Sequence, residues 1–265
     1  MGKREIYEKI ANTDLRKEKL IIATITDLSE EYNQKLFSEK ILFSNKSSAI
    51  CSFEDKKFLE KILNELEINN KFFNKNKAEK IILKLDKGKI ELFLDPVHDD
   101  PRLIIFGSGH VSQPLAKVAK IAGFTVNVID DRQGLLNKGY FPTADKLILN
   151  KYTDYLDEME IRNDDYLVIV TRGHQHDYDV LKGVIDSQAK YIGMIGSKTK
   201  VKLTFDELRE KDKVSDDLID RVDAPIGIYL GSETPAEIAV SIMAKIISVR
   251  TVSYTHLTLP TNREV

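Results

Sequence analysis

"RLIIFGSGHVSQPLAKVAKIAGFTVNVIDDR", Arg102 to Arg132, decides the fold. Its opening "LIIF" is a short, continuous apolar run that stops at glycine, the pattern of a strand buried on both faces. Gly107-Ser108-Gly109-His110 follows, and "QPLAKVAKIAG" then carries apolar residues at helical spacing. "TVNVID" returns as a second buried strand and ends on two acids. Strand, glycine loop, helix, strand is the outline of a dinucleotide-binding βαβ unit. Two features depart from the usual fingerprint. His110 stands where the loop becomes the helix, and Ser112 occupies the place of the third glycine.

The same alternation continues downstream. "DKLILN" (Asp145 to Asn150), "YLVIV" (Tyr166 to Val170) and "YIGMIG" (Tyr191 to Gly196) read as three further strands. The last two are followed by the helices "DYDVLKGVIDSQ" and "KTKVKLTFDELREK". Continuous apolar strands between helices mean an α/β fold, a Rossmann-like parallel sheet with helices on both faces. A final helix begins at "SETPAEIAVSIMAKIISV", with Thr234 as N-cap, Pro235 in the first helical position and Glu237 completing a capping box.

Upstream the texture changes. "KLIIATITDL" and "KAEKIILKLDKGKIELFLDPV" read as strands, the second as a hairpin turning at Asp86-Lys87-Gly88. Between them "FEDKKFLEKILNELEI" places Phe58, Leu59, Ile62, Leu63 and Leu66 on one face of a helix. We therefore expect a small α+β N-terminal domain over 1–95, a linker in "DPVHDDPR", a Rossmann-like domain over 101–250, and a disordered or non-native tail over 251–265.

Composition narrows the function. In 265 residues, 42% are apolar and 31% charged, which suits a globular protein with a sizeable core. A formal charge of −2 argues against nucleic acid or membrane partners recruited by bulk charge. One cysteine, Cys51, excludes an internal disulfide and agrees with a cytoplasmic location. The first residues lack the apolar core of a signal peptide, and no run approaches the length of a membrane span.

In a doubly wound sheet, ligands bind beyond the carboxyl ends of the strands. The residues that could carry chemistry all follow strand ends. Gly107, Ser108, Gly109 and His110 can bring backbone close to a phosphate at a helix N-terminus. Asp130 lies 23 residues after Gly107, the distance at which an acid meets a ribose hydroxyl, with Asp131 and Arg132 beside it. Arg132 leaves room for a phosphorylated ribose. In "TRGHQHD", Thr171 to Asp177, Arg172 can clamp an anion, Gly173 frees the backbone, and His174 and His176 supply imidazoles that can handle protons. Asp177 is expected to cap the next helix. Gly196, Ser197 and Lys198 form a further anion-binding turn. With the first and fourth strands of the sheet adjacent, His110, His174 and His176 are expected to face one crevice and are the candidate acid–base groups. No motif of established metal spacing is present. Cys51 reads as a small buried apolar residue rather than a nucleophile.

The quoted glycine segment, "VIVTRGHQHDYDVL", "YIGMIGSKTK" and "APIGIYLGSETPAEIAVSIMAKII" together resemble the C-terminal domain of the xanthine dehydrogenase accessory factors, the XdhC/CoxI family. The likeness covers about residues 95 to 250. It implies a non-catalytic maturation protein that binds the molybdenum cofactor (molybdopterin) transiently and supports its sulfuration. The cofactor would then be delivered to an apo molybdenum hydroxylase, with a sulfurtransferase as a second partner and a homodimer as the assembly. The N-terminal region departs from that family. It lacks the usual "GSAPR" and "GGCVE" segments, keeping only a cysteine followed by an acid, Cys51 with Glu54. The alternative is an NAD(P)-dependent oxidoreductase, or a nucleotide-sensing module, using the same crevice.

Overall fold

The computed structural model describes residues 2–15, 17–66, 73 and 78–252. The chain divides into two compact units between Asp99 and Asp100.

The N-terminal unit comprises α1 (Gly2–Ala11), β1 (Leu20–Leu28), β2 (Lys40–Ser44), β3 (Ile50–Cys51), α2 (Lys56–Leu66), β4 (Glu79–Leu85) and β5 (Gly88–Val97). The strands form an antiparallel sheet in the order β3-β2-β1-β5-β4. Alternation along β1 sorts its side chains between two faces. Ile21, Ala23 and Ile25 pack with Phe58, Ile62 and Leu66 of α2, while Leu20 packs with Ile6 of α1. The β4–β5 hairpin turns where expected, and Gly88 adopts φ +124°, which favours glycine. The expected linker is shorter than its composition suggests. β5 continues through Asp95, Pro96 and Val97, because β1 pairs with all three. α1, β2 and β3 escaped the sequence pattern.

The second unit comprises β6 (Arg102–Phe106), α3 (Ser112–Ile121), β7 (Thr125–Asp130), β8 (Lys146–Leu149), α4 (Tyr152–Glu158), β9 (Tyr166–Ile169), α5 (His174–Val184), β10 (Tyr191–Met194), α6 (Lys198–Asp212), α7 (Asp216–Asp220), β11 (Val222–Asp223) and α8 (Pro235–Val252). Its six strands are all parallel, in the order β11-β10-β9-β6-β7-β8. Two cores explain why the strands read as unbroken apolar runs. Leu103 and Ile105 face α3 and α8, whereas Ile104 and Phe106 face α4, α5 and α6. Both faces of β6 are therefore dry. Residues 253–265, most of the expected tail, lie outside the described residues, as does Lys77 at the start of the expected hairpin.

The predicted cap of α8 forms. The Glu237 carboxylate accepts from the amides of Glu233 (2.8 Å) and Thr234 (3.0 Å), and the Glu237 amide donates to Thr234 Oγ1 at 3.3 Å. Among the described residues, no helix is long and apolar enough to cross a membrane.

Candidate functional site

Adjacent β6 and β9 send their chains to opposite faces, α3 to one and α5 to the other, so the strand order reverses between them. The loops following these strands meet there. Gly107 is fixed by the fold: its φ is +116°, its amide donates to Ile129 O (2.8 Å), and an added Cβ would stand 2.4 Å from Val170 O. Gly109 is different. A Cβ there would meet nothing within 4 Å, so internal packing does not require a glycine. Among the described residues the amides of Gly109 and His110 have no hydrogen-bond partner. Free amides ahead of a helix form a concavity suited to an anion.

Asp130 holds this loop in place. It is wholly buried and its carboxylate accepts five hydrogen bonds. Oδ2 accepts from the Ser108 amide (2.7 Å), Ser108 Oγ (2.8 Å) and Arg132 Nη2 (2.8 Å). Oδ1 accepts from the Arg132 amide (2.9 Å) and Nε (2.8 Å). Burial opposes ionisation, but the bonds from Arg132 and Ser108 override it and hold the carboxyl well below the usual range. The guanidinium of Arg132 is thereby committed to its own strand end.

Asp131 points outward and is exposed. Arg172, from the β9–α5 loop, reaches to 3.8 Å of its carboxylate, so Asp131, Arg132 and Arg172 form one charged cluster across two loops. Tyr152, at the start of α4, belongs to the same region. Its ring packs edge-on to Phe106 and His176, and its hydroxyl is buried beside Asp130. Burial, then the charges of Asp130 and Asp131, push the Tyr152 hydroxyl pKa strongly up. Sequence reading missed Tyr152, since the short α4 lacks a strong period.

Helix α5 begins earlier than expected, at His174 behind Gly173, whose φ of +98° favours glycine at the N-cap. Asp177 is therefore not the N-cap. It lies in the first turn, fully buried, and accepts from the Thr171 amide (3.2 Å), Thr171 Oγ1 and Lys200 Nζ. The early start separates the histidines. His176 packs on Tyr152, whereas His174 lines an open groove of about 720 Å3 with Ser197, Thr199, Lys200 and Leu203. His174 Nε2 is buried without a partner. His110 is exposed beside the glycine loop. Ser197 caps α6, its Oγ accepting from the Lys200 amide at 3.2 Å, while Lys198 is exposed and Gly196 is partly covered by Lys200 and Val201. Among the described residues, no group of three His, Cys, Asp or Glu side chains could hold a metal ion. Cys51, in the other unit, is half-buried and donates to Phe53 O, and burial raises its thiol pKa.

A parallel sheet in this order, with a glycine turn and an acidic strand end at its switch point, defines a Rossmann-type binding domain. The XdhC Rossmann domain family matches residues 103–246, and the chain belongs to that family. It is similar to the uncharacterized protein YqeB of Escherichia coli (strain K12), with 33% identity over 62% of this chain and 30% of the relative. It is also similar to a probable xanthine dehydrogenase component of Bacillus subtilis (strain 168), with 35% identity over 60% of this chain and 46% of the relative. The matched part thus spans less than half the length of these curated relatives. Among solved structures, a xanthine dehydrogenase from Bacillus halodurans shares the fold, with TM-score 0.54, 21% identity and 98% of each chain covered.

Proposed function

We propose that this protein is an accessory factor for a xanthine dehydrogenase-type molybdenum hydroxylase. In this reading it takes up the molybdenum cofactor, supports its sulfuration and passes it to the apo hydroxylase in the cytoplasm. Family membership and the name of the Bacillus subtilis relative support the assignment. The observation that carries it is the loop after β6, where Gly109 leaves open space and two amides stand free.

The residues present fit an anionic, phosphate-bearing cargo. The amides of Gly109 and His110 would meet its phosphate, with the N-terminus of α3 adding a favourable dipole. Ser108 supports the turn from below through Asp130. Arg172 is exposed enough to close on an anion, and Thr171 and Gly173 carry it on a loop pinned by Asp177. His176 borders the same strand ends, packed on the Tyr152 ring, and is the acid–base candidate there. His174, with Ser197 and Lys200, belongs to the neighbouring groove, and Lys198 stands exposed at the start of α6. The molybdenum centre itself would supply the oxo-to-sulfur exchange chemistry.

The test is reconstitution. Purified protein, molybdenum cofactor and cofactor-free hydroxylase are combined, and hydroxylase activity and cofactor co-elution are measured. Activity no greater than without the protein, with no co-eluting cofactor, defeats the proposal. A second reading, an NAD(P)-dependent oxidoreductase or a nucleotide-sensing module, draws on the acidic end of β7. Calorimetric titration with NAD(H) and NADP(H) addresses it, and absence of binding removes it.

A further inference from the structure

We infer that a second copy of this chain docks on the face formed by the loop after β11 and the exposed side of α8, with Tyr229 as the anchor that each copy inserts into the other. This pairing is independent of which ligand the loop after β6 receives.

Helix α8 is apolar on nearly every side, with Glu237, Lys245 and Arg250 as its charged residues. A helix of that composition is normally covered all round. Here Ala239, Ile242, Met243 and Ile246 are buried in the core shared with α3, whereas Ala236 and Val240 face outward, Val240 49% exposed. The loop before the helix enlarges this uncovered side. Ile228 is tied to α8 through Ser241, its amide donating to Ser241 O at 3.3 Å and its carbonyl accepting from Ser241 Oγ at 2.5 Å. Just beyond it Tyr229 is 98% exposed and Leu230 55%. Leu230 and Val240 line one open cleft of about 480 Å3 with Ser232 and Ala236, so the exposed apolar residues are contiguous. Tyr229 alone exposes about 200 Å2, and Ile228, Tyr229, Leu230 and Val240 together about 400–500 Å2. One side of a standard interface buries about 800 Å2, roughly 60% of it apolar, so the patch matches the apolar share that a stable dimer needs.

The shape of the patch points to a copy of itself as the occupant. It carries a projecting ring, Tyr229, and beside it a hole. Roughly 150 Å3 already holds a benzene ring, so the cleft accepts a tyrosine side chain. In a two-fold interface residue i meets j while j meets i, and each Tyr229 is thereby seated in the other copy's cleft. A different protein would have to supply both the ring and the hole. The polar groups agree with this pairing. Ser232 Oγ, in the cleft wall, is buried without a hydrogen-bond partner, and a tyrosine hydroxyl needs one when it is buried. At the rim, Glu237 is already satisfied by the amides of Glu233 and Thr234, which leaves Glu233 turned to solvent.

Sedimentation velocity of the full chain tests the inference, with wild type set against Tyr229→Ser and Val240→Lys. The wild type is expected to dimerise with a Kd of about 10 μM or tighter. Tyr229 is almost wholly exposed, so Tyr229→Ser should keep the far-UV circular dichroism spectrum while weakening dimerisation by about thirtyfold or more, the scale of an aromatic hot spot. Val240→Lys puts a charge into the cleft and should weaken dimerisation from the receiving side. A wild type that stays monomeric to about 100 μM, or a dimer that either substitution leaves intact, overturns the inference. A monomeric wild type that binds cofactor-free hydroxylase through Tyr229 also overturns it and gives the face to that client. Cofactor co-elution, measured on the same samples, decides the accessory role separately.

Discussion

Asp130→Ala should be the most damaging single substitution at the candidate site, and it should act through stability. The side chain is fully buried and accepts five hydrogen bonds, two from Ser108 and three from Arg132. Breaking a fully buried pair costs about 3–5 kcal/mol. Arg132, however, keeps 27% side-chain exposure and can turn to water, which lowers that penalty. The Ser108 amide cannot escape, since Ser108 is fully buried, and one stranded buried donor costs about 1–3 kcal/mol. Together the loss comes to about 2–4 kcal/mol, or roughly 5–15 °C in melting temperature for a unit of this size. The chain has no tryptophan, so urea unfolding is best followed by far-UV circular dichroism. The pH dependence gives a second readout. The folded pKa of Asp130 is depressed, so its contribution is complete above the unfolded value, about 3.9, and fades as pH falls through the folded value. Asp130→Ala should abolish that acid-side slope. A loss below about 1 kcal/mol, or a slope unchanged from wild type, would refute the assignment of Asp130 as the anchor of the glycine loop.

Gly107→Ala must take φ +116° and a Cβ 2.4 Å from Val170 O, so it should lose about 2 kcal/mol or more; Gly109→Ala should change stability by less than about 1 kcal/mol yet weaken cofactor uptake, as read by denaturation and co-elution. Asp177→Ala strands the Thr171 amide and Lys200, and should cost about 2–4 kcal/mol in urea. Hydrogen bonds from Ser44, Lys9 and Ser47 lower the Glu18 pKa to about 2. Its stabilisation of the N-terminal unit is therefore present above about pH 4.5 and lost towards pH 2, a slope that Glu18→Gln should remove and NMR titration can confirm. Thr234→Ala should cost about 1 kcal/mol by removing one half of the capping box, measured by thermal melting.

The amino-acid sequence determined the parts governed by local rules. Unbroken apolar runs between amphipathic segments can be satisfied only by strands covered on both faces, and β6, β7, β9 and β10 are built that way. Thr234, Pro235 and Glu237 fixed the start of α8, because a capping box is complete within four residues. The β4–β5 hairpin was legible for the same reason. Spacing also placed Gly107 and Gly109 in the loop after β6, but could not show that one serves the fold and the other leaves open space. That distinction depends on Val170, just past the end of β9 and 63 positions away in sequence.

Tertiary structure alone decided the roles of neighbouring polar residues. Asp130 and Asp131 are chemically identical and adjacent, yet alternation along a strand end turns one inward to Ser108 and Arg132 and the other outward beside Arg172. Asp177 resembled an N-cap in sequence, but the positive φ of Gly173 starts α5 earlier and carries the carboxylate back to Thr171 and across to Lys200. The same shift sends His174 and His176 to different surroundings, and Tyr152 gains its place only because α4 packs against β6 and α5. Burial and hydrogen-bond saturation are properties of the assembled neighbourhood. A one-dimensional pattern names the residues at the strand ends, and only the packed sheet decides which of them remain free to meet a ligand.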